Sequence, residues 1–233
     1  MLELSLIAKP SVRKKRLGLP ADVAAIRKAL QSFLKSLESD GGQIDARTGG
    51  VYAFYDYDGE PIYVGKTYEG LGARIGRHLT NQRTDAVAMN VLDPFEVAEI
   101  RVWPFDLSSY SKKEKSKFLD RAEFTVFQKL LVESKLGAIL NEKPPKRTET
   151  VELPKDYRQR IIPDEIFPHR KHPDVRIARR ANTIANLARV ISERKVSRGL
   201  RQTLLTQAKR LEKLAAERLE DFPAGAEDEG EEN

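Results

Sequence analysis

Two tyrosines, an arginine with a histidine four residues later, one glutamate and one asparagine follow each other in the order Tyr52, Tyr63, Arg74, His78, Glu123, Asn141. Lys66 sits three residues after the second tyrosine. Singly these residues are ordinary. As a set they hold what hydrolysis of a phosphodiester needs: a proton acceptor, cations for phosphate oxygens and a carboxylate for a metal ion.

A free tyrosine has a pKa near 10, so only about 0.1% is phenolate at neutral pH. Burial raises that value further, so a phenol acts as a base only where nearby cations outweigh desolvation. Lys66 and Arg74 are the nearest candidates in the chain, against the simpler reading of two core tyrosines with satisfied hydroxyls. Arg74 and His78 share a helix face at their spacing of four. An arginine fork matches two phosphate oxygens, and a histidine titrates near neutrality; an exposed basic helix is the bland alternative. Glu123 has Leu119, Ala122, Phe124, Val126 and Phe127 around it on a helix, where a carboxylate is costly unless paired or liganded. It suits one Mg²⁺, which takes one or two protein carboxylates, or an internal ion pair with Arg121 or Lys66. Asn141 could support a metal's water or the scissile phosphate, or simply end a turn.

These side chains need a scaffold. Residues 22–38 read as an amphipathic helix with Asp22 near its start. Val51 to Tyr57 and Pro61 to Gly65 read as strands joined by the tight-turn signal Asp58-Gly59. A helix is predicted near 73–81, a third strand at 95–105 and a long helix over 112–135, closed by Lys143-Pro144-Pro145. The class is α+β: a small three-stranded antiparallel sheet flanked by helices. Prolines 154, 163, 168 and 173 mark 146–173 as a linker. Helices are predicted near 174–195 and 198–221, the second with Leu200, Leu204, Gln207, Leu211 and Leu214 in a rhythm that a short coiled coil would share. The chain thus divides into an N-terminal arm and helix (1–48), a central domain (49–145), the linker (146–173), a basic helical extension (174–221) and an acidic tail (222–233).

The two tripeptides Gly50-Val51-Tyr52 and Tyr63-Val64-Gly65, their spacing, the Arg-x-x-x-His that follows, the helical glutamate and the later asparagine resemble the GIY-YIG nuclease superfamily over about residues 49–143. The resemblance implies Tyr52 as general base and Tyr63 as the group orienting water or phosphate, though the two phenols can exchange these roles. It implies Lys66 tuning the phenol, Arg74 on the scissile phosphate, His78 assisting proton transfer, Glu123 holding one Mg²⁺ (with Mn²⁺ as a substitute) and Asn141 supporting the site. Val51 stands where the family name has isoleucine, an apolar exchange. A core with additions at both ends looks like the type II restriction enzymes of that superfamily, with homodimerisation through the N- or C-terminal helices. A structure-specific repair or recombination nuclease, or an idle DNA-binding module, are the competing readings.

At 233 residues with 40% hydrophobic content, the chain can build one good core and an appendage. Without cysteine it has no disulfide and no thiolate zinc site, which fits a reducing, cytoplasmic setting. No apolar run is long enough for a membrane span. The net charge of +6 is uneven: residues 143–222 carry 20 Lys+Arg against 11 Asp+Glu, whereas 223–233 carry five acids and no base. The basic third therefore predicts DNA as a partner through phosphate neutralisation. Arg13-Lys14-Lys15-Arg16 could add backbone contacts, and His169-Arg170-Lys171-His172 reads as solvated polar sequence rather than a metal site.

Overall fold

Beta-formers on either side of Asp58-Gly59 pair as an antiparallel hairpin, β1 (Gly49–Tyr55) with β2 (Pro61–Thr67), placing Tyr52 opposite Gly65 and Phe54 opposite Tyr63. The computed structural model describes residues 21–36, 41–79 and 91–222; the basic run at 13–16 and the acidic stretch from 223 lie outside the described residues. In the hairpin turn Gly59 takes a φ of 71°, which an L side chain rarely adopts. The Asp56 carboxylate closes the same turn, accepting from the N–H groups of Asp58 and Glu60 at 2.9 and 3.0 Å.

The third strand, β3 (Glu99–Phe105), pairs antiparallel with the other side of β1. A fourth, β4 (Tyr157–Arg160), extends the expected three-stranded sheet, giving the order β2-β1-β3-β4. It comes from the stretch read as a Pro-rich linker. That stretch also buries Ile161 and Ile162 and forms a short helix, α4 (Phe167–Lys171), so it is part of the fold.

Period-two alternation splits the sheet into two faces. Val51, Ala53 and Tyr55 pack with Val64 and Trp103 against α3 (Lys112–Glu133). This helix opens on a reciprocal capping box between Ser111 and Glu114, and buries Leu119, Ala122, Val126, Phe127 and Leu130. Tyr52 and Phe54 face the other way, into a core shared with α1 (Ala21–Leu34), α2 (Leu71–Leu79) and the C-terminal helices α5 (Pro173–Glu193) and α6 (Arg198–Glu220). The leucine rhythm of α6 serves this chain's own packing: Leu200, Gln207 and Leu214 are buried, α6 packs on α5, and Gln207 donates to the Val91 carbonyl at 3.1 Å. No helix among the described residues is long and apolar enough to cross a membrane.

Much of the extension's positive charge is spent inside the molecule. Arg176, Arg180 and Arg210, all buried, converge on Asp56 at 3.4, 3.2 and 2.7 Å. Arg180 also reaches Glu96 at 2.6 Å and Arg176 reaches Asp58 at 2.7 Å. Arg179 pairs with Asp93 and Arg170 with Asp22. The net charge of residues 143–222 therefore overstates the field they offer to a polyanion.

The clamp has a pH signature. Burial works to raise the Asp58 carboxyl, but the hydrogen bond and charge of Arg176 outweigh it and hold the group below its ordinary 3.8. A depressed folded pKa contributes stability above the unfolded value, lost as pH falls through the folded one. Asp58→Asn should therefore lower the melting temperature at pH 7, with the difference from the parent closing only below about pH 3.8.

Candidate active site

Two glycines let the catalytic candidates approach each other. A Cβ on Gly50 would stand 2.8 Å from Leu71 Cδ2, so the first turn of α2 sits directly on β1. A Cβ on Gly65 would stand 2.6 Å from the Tyr52 hydroxyl and 3.0 Å from Tyr63 Cε1. The Tyr52 phenol thus lies across the bare backbone of the edge strand, and the ring centroids of Tyr52 and Tyr63 are 6.2 Å apart. Tyr52 is fully buried, while Tyr63 on the edge strand is half-buried. We expect Gly65→Ala to cost about 1–3 kcal/mol through overpacking and to lower turnover with it, read by thermal melting and by whichever cleavage assay the parent supports.

Arg74, on α2, reaches both phenols: its guanidinium hydrogen-bonds the Tyr52 hydroxyl and interacts with Tyr63 and Glu69. Burial works to lower this guanidinium, yet those partners outweigh it and the group is raised. Its Nε is buried without a hydrogen-bond partner among the described residues, which leaves donor capacity for an anion. His78 lies four residues further along α2, and its side chain lies outside the described residues.

Lys66 and Glu123 belong to the opposite face of the sheet. Lys66 alternates with Gly65, so its side chain leaves β2 toward α3, where its ammonium lies 2.7 Å from Glu123 Oε2. The same ammonium lies 2.5 Å from Asp120 Oδ1, one helical turn before Glu123. Asp120 was not among the residues singled out from the sequence, although two acids three apart on one helix share a face. Burial lifts the Glu123 carboxyl above its ordinary range, with Lys66 and, more weakly, Arg74 opposing. At Lys66 the balance reverses: burial works downward, but Asp120 and Glu123 carry the ammonium upward. The ammonium and the carboxylate lie within ion-pair distance of each other. Arg74 acts on Tyr52 and on Glu123, which links the two half-sites.

Asn141 takes a different position. Its amide oxygen accepts from the Val64 N–H at 3.0 Å and its amide nitrogen donates to the Val64 carbonyl at 2.8 Å. Leu140 N–H adds a bond to the Ile62 carbonyl at 2.9 Å. The asparagine thus satisfies the open edge of β2 between Tyr63 and Gly65, and orders the strand that bears Tyr63 and Lys66.

The donor set can be tested against a divalent cation. Glu123 is an oxygen ligand with a side chain 15% exposed, and it already holds a cation in the Lys66 ammonium. Among the described residues no group of three or more His, Cys, Asp or Glu could hold a metal ion. The chain thus offers one carboxylate, with Asp120 as a second close by, which fits a hard ion that keeps most of its water.

No curated protein and no solved structure matches the chain. Residues 48–130, which contain both tyrosines, Lys66, Arg74, His78 and Glu123, match the family model of the GIY-YIG catalytic domain, a match that supports a nuclease function.

Proposed function

We propose that the protein is a Mg²⁺-dependent endonuclease that hydrolyses DNA phosphodiesters at a single site, and that it works in restriction of foreign DNA. The observation that carries the reading is the convergence of the Tyr52 hydroxyl, Arg74 and the Lys66–Glu123 pair at one edge strand. The restriction role is supported by the plan of the chain, a nuclease core with helical additions on both sides.

In this reading Arg74 binds the scissile phosphate, using the Nε donor that has no partner among the described residues. Its charge opposes the negative charge that builds up on phosphorus ligands in the transition state, the largest kind of catalytic contribution. Tyr52 accepts the proton of the attacking water. The Arg74 guanidinium donates to its hydroxyl, and full burial confines the transfer to water held inside the site. Tyr63, half-buried beside it, orients that water or a phosphate oxygen. His78, following Arg74 on α2, assists proton transfer. Glu123 would hold the Mg²⁺, with Asp120 retaining the Lys66 ammonium nearby. When bound, Mg²⁺ supplies charge neutralisation at the phosphate and the leaving oxygen. Asn141 keeps β2 in register for all of these contacts.

The test is cleavage of supercoiled plasmid with Mg²⁺ by the parent and by Tyr52→Phe and Arg74→Ala. Nicking or linearisation by the parent alone supports the reading. Equal cleavage by all three removes the assigned site. Sequencing the product ends from phage and plasmid DNA reads the restriction role: ends at one recurrent sequence support it, and ends confined to branch points contradict it.

A further inference from the structure

The extension's cations include two clusters with different fates. Those along the inner side of α5 and α6 are buried against acids of the sheet domain, as described for Arg176, Arg180 and Arg210. At the tip of the same helical hairpin, Arg194, Lys195, Arg198 and Arg201 are all exposed and form no ion pair among the described residues. Arg194 and Lys195 occupy the turn between the helices, while Arg198 and Arg201 lie one turn apart at the start of α6. Glu193 is the one acid between residues 189 and 201.

The tip is also placed against the candidate site's edge strand. Gly199 lies so close to the Glu142 carbonyl that any Cβ there would collide with it. Glu142 follows Asn141, whose amide is bonded to both backbone groups of Val64. Leu200 and Leu140 join the same core cluster. The path from the free cations to β2, which bears Tyr63 and Lys66, is thus two short packed steps. Lys143, next to Glu142 in the chain, is exposed as well.

We propose that the α5–α6 tip, with Arg194, Lys195, Arg198 and Arg201, is the surface that grips the sugar–phosphate backbone of duplex DNA beside the scissile bond. This deepens the nuclease reading and rests on it. Four unneutralised cations next to a phosphodiester-cutting site suit a ligand with regularly spaced negative charges. Such contacts position the duplex without reading its sequence. The buried arginines of the same helices hold the hairpin to the sheet domain, so the tip is presented at a fixed place and not on a loose arm.

The experiment compares the full-length parent, the triple variant Arg194→Gln/Lys195→Gln/Arg198→Gln and Glu123→Gln. Binding of a fluorescent duplex is followed by anisotropy across a salt series in EDTA, where cleavage is off. Each lost phosphate contact flattens the log–log salt dependence by roughly 0.9. The triple variant should therefore lose about two to three from the slope and roughly 10- to 100-fold in affinity near 0.1 M salt. With Mg²⁺ its KM should rise while kcat stays near the parent value. Glu123→Gln should keep the parent's slope and lose cleavage. A triple variant with the parent's slope and KM overturns the proposal and leaves the nuclease reading intact. A slope lost in the triple variant, with no cleavage by any of the three proteins, upholds the surface and overturns the nuclease reading.

Discussion

Glu123→Gln should abolish cleavage, by at least about a thousandfold, while the protein stays folded and binds DNA as before. The substitution keeps size and one acceptor oxygen, removes the charge and exchanges the other oxygen for an amide donor. The folded state tolerates it because Lys66 retains Asp120 at 2.5 Å. Burial already works against the Glu123 carboxylate, so neutralising it relieves a desolvation cost in the cation-free protein. Divalent-ion binding in the absence of DNA, read by calorimetry, should be lost alongside turnover. Retained ion binding in Glu123→Gln would move the ligand role to another group, with Asp120 the first alternative. Asp120→Asn should have a milder effect, since its side chain is 55% exposed.

The second large effect is on stability and lies far from the chemistry. Asp56→Ala should destabilise the protein by about 3–5 kcal/mol, the cost of leaving buried charge uncompensated. For a chain of this size that corresponds to roughly a 10 °C fall in melting temperature or more. Asp56 faces three buried guanidiniums and also closes the β1–β2 turn through the N–H groups of Asp58 and Glu60. Burial pulls the Arg210 guanidinium below its ordinary value, with Asp56 the leading influence that opposes it. Removing that carboxylate takes from Arg210 its partner at 2.7 Å and leaves Arg176 and Arg180 to Asp58 and Glu96 at the seam between hairpin and sheet. A melting temperature within a degree or two of the parent would mean that water or rearrangement compensates the arginines. The same arrangement implies that truncation after residue 146 does not isolate a nuclease core: it removes β4 and strips Asp56 and Glu96 of their counter-ions.

How much of this was legible in the sequence depended on range. The β1–β2 hairpin was readable because Asp58-Gly59 and its flanking β-formers are local signals, and the structure turns where they predict. The long helix α3 was readable from its apolar spacing and starts at a capping residue. β4 was not readable. Tyr157-Arg158-Gln159-Arg160 is polar, lies between Pro154 and Pro163, and forms an edge strand that needs no continuous apolar pattern. The fate of the basic extension was hidden for a different reason. A sum of charges cannot tell an arginine facing solvent from one facing Asp56, and those partners are more than a hundred residues apart in the chain.

Within the candidate site, residue types were legible and their partners were not. That Glu123 needs a counter-ion follows from its apolar neighbours, and of the two candidates Arg121 and Lys66 it is Lys66 that pairs with it. That Asp120 shares the ammonium requires knowing which side of β2 Lys66 leaves from. In the sequence Asn141 is a polar residue after a helix, whereas its role of sealing the edge at Val64 depends on a contact across 77 residues. The glycines of the two tripeptides acquire a physical reason only in three dimensions: Gly50 receives Leu71, and Gly65 leaves room for the Tyr52 hydroxyl.

Anomalous scattering from Mn²⁺ in crystals of the protein with a DNA duplex tests the central claim most directly. One strong peak is expected at the Glu123 carboxylate, with a phosphate on Arg74 and the Tyr52 hydroxyl facing the same phosphorus. A peak held by other side chains, or a phosphate bound away from Arg74 and both phenols, would contradict it.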